Sequence, residues 1–94
     1  MNKTDGLSAI EKPVGSMKIL LHLHQHEKAT VTNLLQRENL NQRTTYSALE
    51  HLQKEGLICL RKGIGFPLSK YYFLTDKGKI VAKQLDRVAA VLVQ

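Results

Sequence analysis

The chain has 94 residues, 43% of them hydrophobic and 23% charged, which is enough for one domain and too little for two. Its formal charge is +6 and its pI about 9.7; such a surplus favours an anionic partner, nucleic acid first. Cys59 is the sole cysteine, which excludes an intramolecular disulfide and a thiolate zinc cluster. No apolar run reaches membrane-spanning length, and the first residues carry no signal-type apolar segment. The expectation is a cytoplasmic protein with no membrane partner.

In chain order, Met1 to Gly6 is polar and reads as a disordered tail. Pro13, Gly15 and Ser16 blur the start of the first helix. From Met17 the pattern firms: Met17, Leu20, Leu21 and His24 share one face, flanked by Ile19 and Leu23, and this helix ends near Glu27. Lys28 and Ala29 leave room only for a connection or a one-bridge strand. Thr30 is an N-cap whose hydroxyl can accept from a free amide of the next turn. Val31, Leu34 and Leu35 have helical spacing, and the short second helix stops around Glu38 and Asn39. Leu40, alone in a polar turn, is expected to plug the gap between two helices.

Asn41 caps a third helix over about 41–55, in which Thr45, Ala48, Leu49 and Leu52 form the buried stripe. Gly56 stops it as a left-handed cap. Leu57 to Lys62 is a strand, "KGIGFPLSK" a loop, and "KYYFL" the returning strand, in which Tyr71 and Tyr72 must face opposite ways. Thr75 caps the last helix, and Asp76 suits its positive end. Val81, Leu85, Val88 and Leu92 recur four, three and four apart along it, a coiled-coil-like seam widened by Ile80 and Val91. That stripe exceeds the needs of so small a core, so a homodimer through this C-terminal helix is expected.

The fold class is therefore mainly α with a small β-hairpin (α+β): a helix-turn-helix followed by a hairpin wing and a long dimerisation helix. The stretch from Thr30 to Lys79, with "LEHLQKEGLI" and "YYFLTDKGK" as its most telling pieces, resembles the winged helix-turn-helix transcriptional regulators of the MarR, PadR and HxlR type. The resemblance implies a dimeric regulator of transcription that binds double-stranded DNA.

The residues carry a DNA reading of their own. At about 100° per residue, the face of the third helix opposite its buried stripe holds Arg43, Ser47, Glu50 and Lys54. Gln42 and Tyr46 flank it on one side and Thr44 on the other, with Asn41 at the cap. Arg pairs with guanine and Gln with adenine in the major groove; Thr44, Tyr46 and Ser47 suit phosphates or single base edges. Glu50 can accept from cytosine, or hold Arg43 or Lys54. In the wing, about 62–70, Lys62 and Lys70 with the neighbouring Arg61 are phosphate-contact candidates, and Phe66 near the tip is expected to pack on its own domain.

His22 and His26 sit one turn apart, a spacing used in some zinc sites, but no third ligand is in view. They are read as surface or interface residues, and neither metal nor cofactor is expected. There is no phosphate-cradling glycine loop, nucleophile elbow or carboxylate pair, so no enzyme is expected. The rival readings are a winged-helix protein-interaction module and a non-specific, chromatin-type nucleic-acid-coating protein. With no room for a separate ligand domain, an effector, if any, is expected at the dimer interface.

Overall fold

The computed structural model describes residues 3–12, 15–63 and 70–94. Nine elements follow one another: α1 (Lys3–Gly6), α2 (Ser8–Glu11), α3 (Ser16–His26), β1 (Lys28–Ala29), α4 (Val31–Arg37), α5 (Gln42–Lys54), β2 (Ile58–Lys62), β3 (Lys70–Leu74) and α6 (Asp76–Leu92). The sheet is antiparallel with strand order β1-β3-β2, so the two residues of β1 complete a third strand. Residues read as a tail instead make the helical turn α1, with none of its side chains buried. Phe66 and Pro67 lie outside the described residues.

The three expected caps form. The Thr30 hydroxyl accepts from the Asn33 amide, and the Asn33 side chain returns the bond to the Thr30 amide, a closed capping box. The Asn41 and Thr75 side chains accept from the Thr44 and Gly78 amides. Thr45, Ala48, Leu49 and Leu52 are buried as expected, the last three in one cluster with Ile19, Leu20, Leu23 and Leu34. Leu40 packs against that cluster, close enough to Gly15 that a Cβ there would sit 3.3 Å from its methyl groups. Asn39 takes the positive φ of 52° that reverses the chain between α4 and α5; an Asn tolerates this better than most residues.

The orientation of α3 differs from the sequence reading. Its buried residues are Ser16, Ile19, Leu20, His22 and Leu23, while Met17 and His24 are exposed. The reason is polar. His22 turns inward because it has a partner there: its Nδ1 donates to the Glu38 carboxylate at 2.8 Å, with the His26 ring 4.4 Å away, centroid to centroid. A buried imidazole is tolerated when so bonded, and this contact ties α3 to the C-cap of α4. Among the described residues, no group of three or more His, Cys, Asp or Glu side chains is placed to hold a metal ion.

The tightest joint lies where α5 ends and α6 begins. Gly56 takes φ 76°, and the Leu57 amide bonds back to the Leu52 carbonyl at 3.0 Å, which closes α5 in the manner of a left-handed cap. The Leu57 carbonyl then accepts from the Thr75 amide at 3.1 Å, and the Thr75 hydroxyl donates to the Gly56 carbonyl at 2.6 Å. Gly78, in the first turn of α6, lies flat against this joint: a Cβ there would fall 1.9 Å from the Leu57 oxygen. No side chain fits without moving the helix. Gly78→Ala should therefore destabilise the fold by about 1–3 kcal/mol or more, a drop of roughly 10 °C in Tm for a domain of this size. Gly6→Ala, with open space around it, should leave thermal denaturation unchanged and serves as the control.

Candidate nucleic-acid interface

The polar start of α5 holds its helix by local bonds. Asn41 Oδ1 accepts from the Thr44 amide at 2.8 Å and the buried Thr45 hydroxyl donates to the Asn41 carbonyl at 2.9 Å. The Asn41 oxygen is thus committed to the cap, leaving its amide N–H groups for any partner. On the outer face Gln42, Arg43, Ser47, Glu50 and Lys54 are exposed, Tyr46 is 50% exposed and Thr44 is half-buried. Among the described residues Glu50 forms no salt bridge with Arg43 or Lys54. Ser47, Glu50, His51 and Lys54 border a shallow hollow of about 280 Å³ on this face.

His51, unremarked in the sequence reading, is half-buried and donates from Nε2 to the Ala9 carbonyl at 2.9 Å. It fastens α2 beside the hollow on this same face of α5. Nothing in the sequence signals a bond between residues 42 positions apart.

The three basic candidates of the wing do not share a face. In the β2–β3 register Lys62 stands opposite Lys70 and Arg61 opposite Tyr71. Side chains alternate along a strand, so Lys62 and Lys70 belong to one face and Arg61 to the other. Arg61 lies over the Phe73 ring at 5.8 Å, and Lys28 over the Tyr71 ring at 4.7 Å. Like charges directly opposed across a ladder repel, so the Lys62–Lys70 pair stores a demand for a counter-anion.

The tyrosines divide as alternation requires, Tyr72 buried and Tyr71 partly exposed. Burial pushes the Tyr72 phenol above its ordinary 10, and the neighbouring Tyr46 phenol adds to the shift.

In α6 the seam is shared. Val81 and Leu85 pack against the chain's own core, whereas Val88 and Leu92 are exposed, together with Ile80, Val91 and Val93. Lys79 and Lys83 take the opposite flank. No helix among the described residues is long and apolar enough to cross a membrane.

A short helix, a tight turn, a second helix with a polar outer face, and an antiparallel hairpin behind it define a winged helix. The chain belongs to the winged helix-turn-helix family, whose model matches residues 16–92. Among solved structures it resembles ytcD, described as an HTH-type transcriptional regulator, with 22% identity and a TM-score of 0.80 over 99% of this chain and 95% of that one. It also resembles a transcriptional regulator homologue from Pyrococcus horikoshii OT3, with 20% identity and a TM-score of 0.75 over 99% and 95% of the two chains. The transcriptional repressor BigR from Xylella fastidiosa aligns at 22% identity and a TM-score of 0.77 over 97% and 86%. No curated protein sequence matches the chain.

The Tyr72 shift has a sign that can be checked. The unfolded chain loses its phenol proton near pH 10, while the folded chain holds it to higher pH. The folded state then binds more protons, so stability falls as pH rises above about 10. Tyr72→Phe should flatten that alkaline loss in denaturant titrations at pH 9 to 11. An unchanged slope would place its origin in another group.

Proposed function

We propose that the protein is a homodimeric transcriptional regulator that binds double-stranded DNA sequence-specifically, with α5 in the major groove and the wing along the adjacent backbone. The observation that carries this reading is the outer face of α5. Gln42, Arg43, Ser47, Glu50 and Lys54 stand exposed on it, while the reverse face is locked into the core at Thr45, Ala48, Leu49 and Leu52, each no more than 1% exposed. A rigid helix presenting donors and acceptors suits base-edge reading, with Arg43 the best candidate for guanine. Lys62 and Lys70, opposed in register, suit a phosphate between them, and the charge of +6 suits the duplex as a whole. The regulators that the fold resembles point the same way.

The exposed stretch of α6, from Ile80 through Val88, Val91 and Leu92, is the surface we assign to the second subunit. Two-fold symmetry then calls for a pseudo-palindromic site with half-sites roughly 34–36 Å apart or a multiple of that.

Two experiments test the reading. In mobility shifts, Arg43→Ala should cost about 1–3 kcal/mol on the preferred sequence and relax selectivity. Lys62→Ala should weaken all duplexes alike and lower the salt slope by about 1. Wild-type binding by both variants overturns the groove assignment, and no binding to any duplex at low salt removes the DNA assignment. In sedimentation equilibrium the parent should be a dimer and the Val88→Asp/Leu92→Asp double variant a folded monomer. A variant that stays dimeric moves the interface elsewhere.

A further inference from the structure

The outer face of the sheet belongs neither to the α5 surface nor to the apolar band of α6. Tyr71 and Phe73 stand two apart on β3, so their side chains share a face, opposite the buried Tyr72. Across the ladders this face takes Arg61 beside Tyr71 and Lys28 beside Phe73. Both cations are exposed, and both rings are partly so. Lys28 lies over the Tyr71 ring at 4.7 Å and Arg61 over the Phe73 ring at 5.8 Å. Three hollows adjoin here and share walls. One, of about 420 Å³, is bounded by Lys28, Arg61, Tyr71 and Phe73. It shares Lys28 and Tyr71 with a second, of about 250 Å³, that reaches Arg37 of α4. It shares Arg61 and Phe73 with a third, of about 520 Å³, that reaches Lys79 and Lys83 of α6. Together they form a groove across the sheet. Its walls hold these five cations and, at the edge toward the wing, Lys62, against one carboxylate, Glu27. Among the described residues, none of the six cations is in a salt bridge.

We propose that this groove binds single-stranded DNA, with successive bases on Tyr71 and Phe73 and their phosphates on the flanking cations. A basic groove with aromatic side chains along it is the arrangement that single-strand binding uses. Spacing separates a single strand from a duplex. Side chains two apart on a β-strand lie about 7 Å from each other, twice the roughly 3.4 Å between stacked bases along one strand of a duplex. Only a strand whose bases are unpaired and splayed seats one on each ring. Arg61 extends the platform, because a guanidinium lying over one ring offers its other plane to a base. The cations complement a chain of phosphates, and each contact releases counter-ions. They stand at both ends of the groove, from Arg37 to Lys83, which suits a polymer better than a point charge. The face is turned away from the core into which Tyr72 packs, so the strand and a duplex on α5 would occupy different surfaces. The proposal stands whether or not α5 takes a duplex.

The test is fluorescence anisotropy with a fluorescein-labelled thymidine dodecamer, beside an abasic dodecamer of the same length and charge. The thymidine strand should bind saturably and at least about tenfold tighter than the abasic one, the weight of one or two stacked bases. Phe73→Leu keeps apolar bulk and removes the ring; it should erase most of this preference and leave abasic binding unchanged. The Lys28→Gln/Arg61→Gln double variant, exchanged at exposed positions, should melt as the parent does and bind the thymidine strand about tenfold or more weakly. It carries the test if Phe73→Leu does not fold. Arg43→Ala, on α5, should bind the strand like the parent. Equal binding of the two dodecamers, or parental binding by the double variant, overturns the proposal. Loss of binding in Arg43→Ala overturns it too, by placing the strand on α5. A uridine dodecamer bound about tenfold tighter than the thymidine one overturns the assignment to DNA in favour of RNA.

Discussion

The Leu57 carbonyl is the point on which the architecture turns. Within a few residues of it α5 ends, β2 begins, β3 ends and α6 begins. It accepts from Thr75 and is covered by the bare Cα of Gly78, while the Thr75 hydroxyl donates to Gly56 and accepts from the Gly78 amide at 3.0 Å. Each polar group of a tight crossing is thereby satisfied, as buried backbone requires. The Lys77 ammonium reaches the Glu55 carbonyl at 3.4 Å, a cation at the negative end of α5. Through this joint the helix with the polar outer face, the wing and the terminal helix are held at fixed angles, which is what a surface meant to meet a rigid partner needs.

The polar first half of α5 is the cost that this rigidity supports. Gln-Arg-Thr-Thr-Tyr-Ser is a weaker helix former than an Ala- or Leu-rich run. Residues of that kind stay helical when both ends are closed and one face is buried. Asn41 closes one end and the Gly56 turn the other. His51 adds a bond to α2. The outer face is thus free to be chosen for its hydrogen-bonding groups.

What could be read in the sequence was whatever depends on neighbours along the chain. Caps at Thr30, Asn41 and Thr75 and the glycine stop at Gly56 follow from side-chain reach and backbone sterics within a few residues. The stripe of α5 follows from its period. What could not be read depends on partners brought in by the fold. His22 reads as a surface or interface residue until Glu38, 16 positions away, meets it in the interior, and Met17 lies exposed instead. Gly78 drew no reading from the sequence, and its reason is the Leu57 carbonyl that lies against it. Arg61 and Lys62 look like one basic patch until strand alternation sends them to opposite faces. For the proposed DNA surface the residue types were legible and their company was not: Arg61 stands on Phe73, away from Lys62 and Lys70.

The terminal helix shows how one element can divide its surface by helical phase. At 17 residues it runs about 25 Å, with Gly78, Val81, Ala82 and Leu85 turned to the core of its own subunit. One flank carries Ile80, Val88 and Val91, and the other Lys79 and Lys83. Burying the apolar flank against the proposed second subunit would leave the lysine flank open to solvent. Separation by helical phase lets the two surfaces coexist on so short a chain.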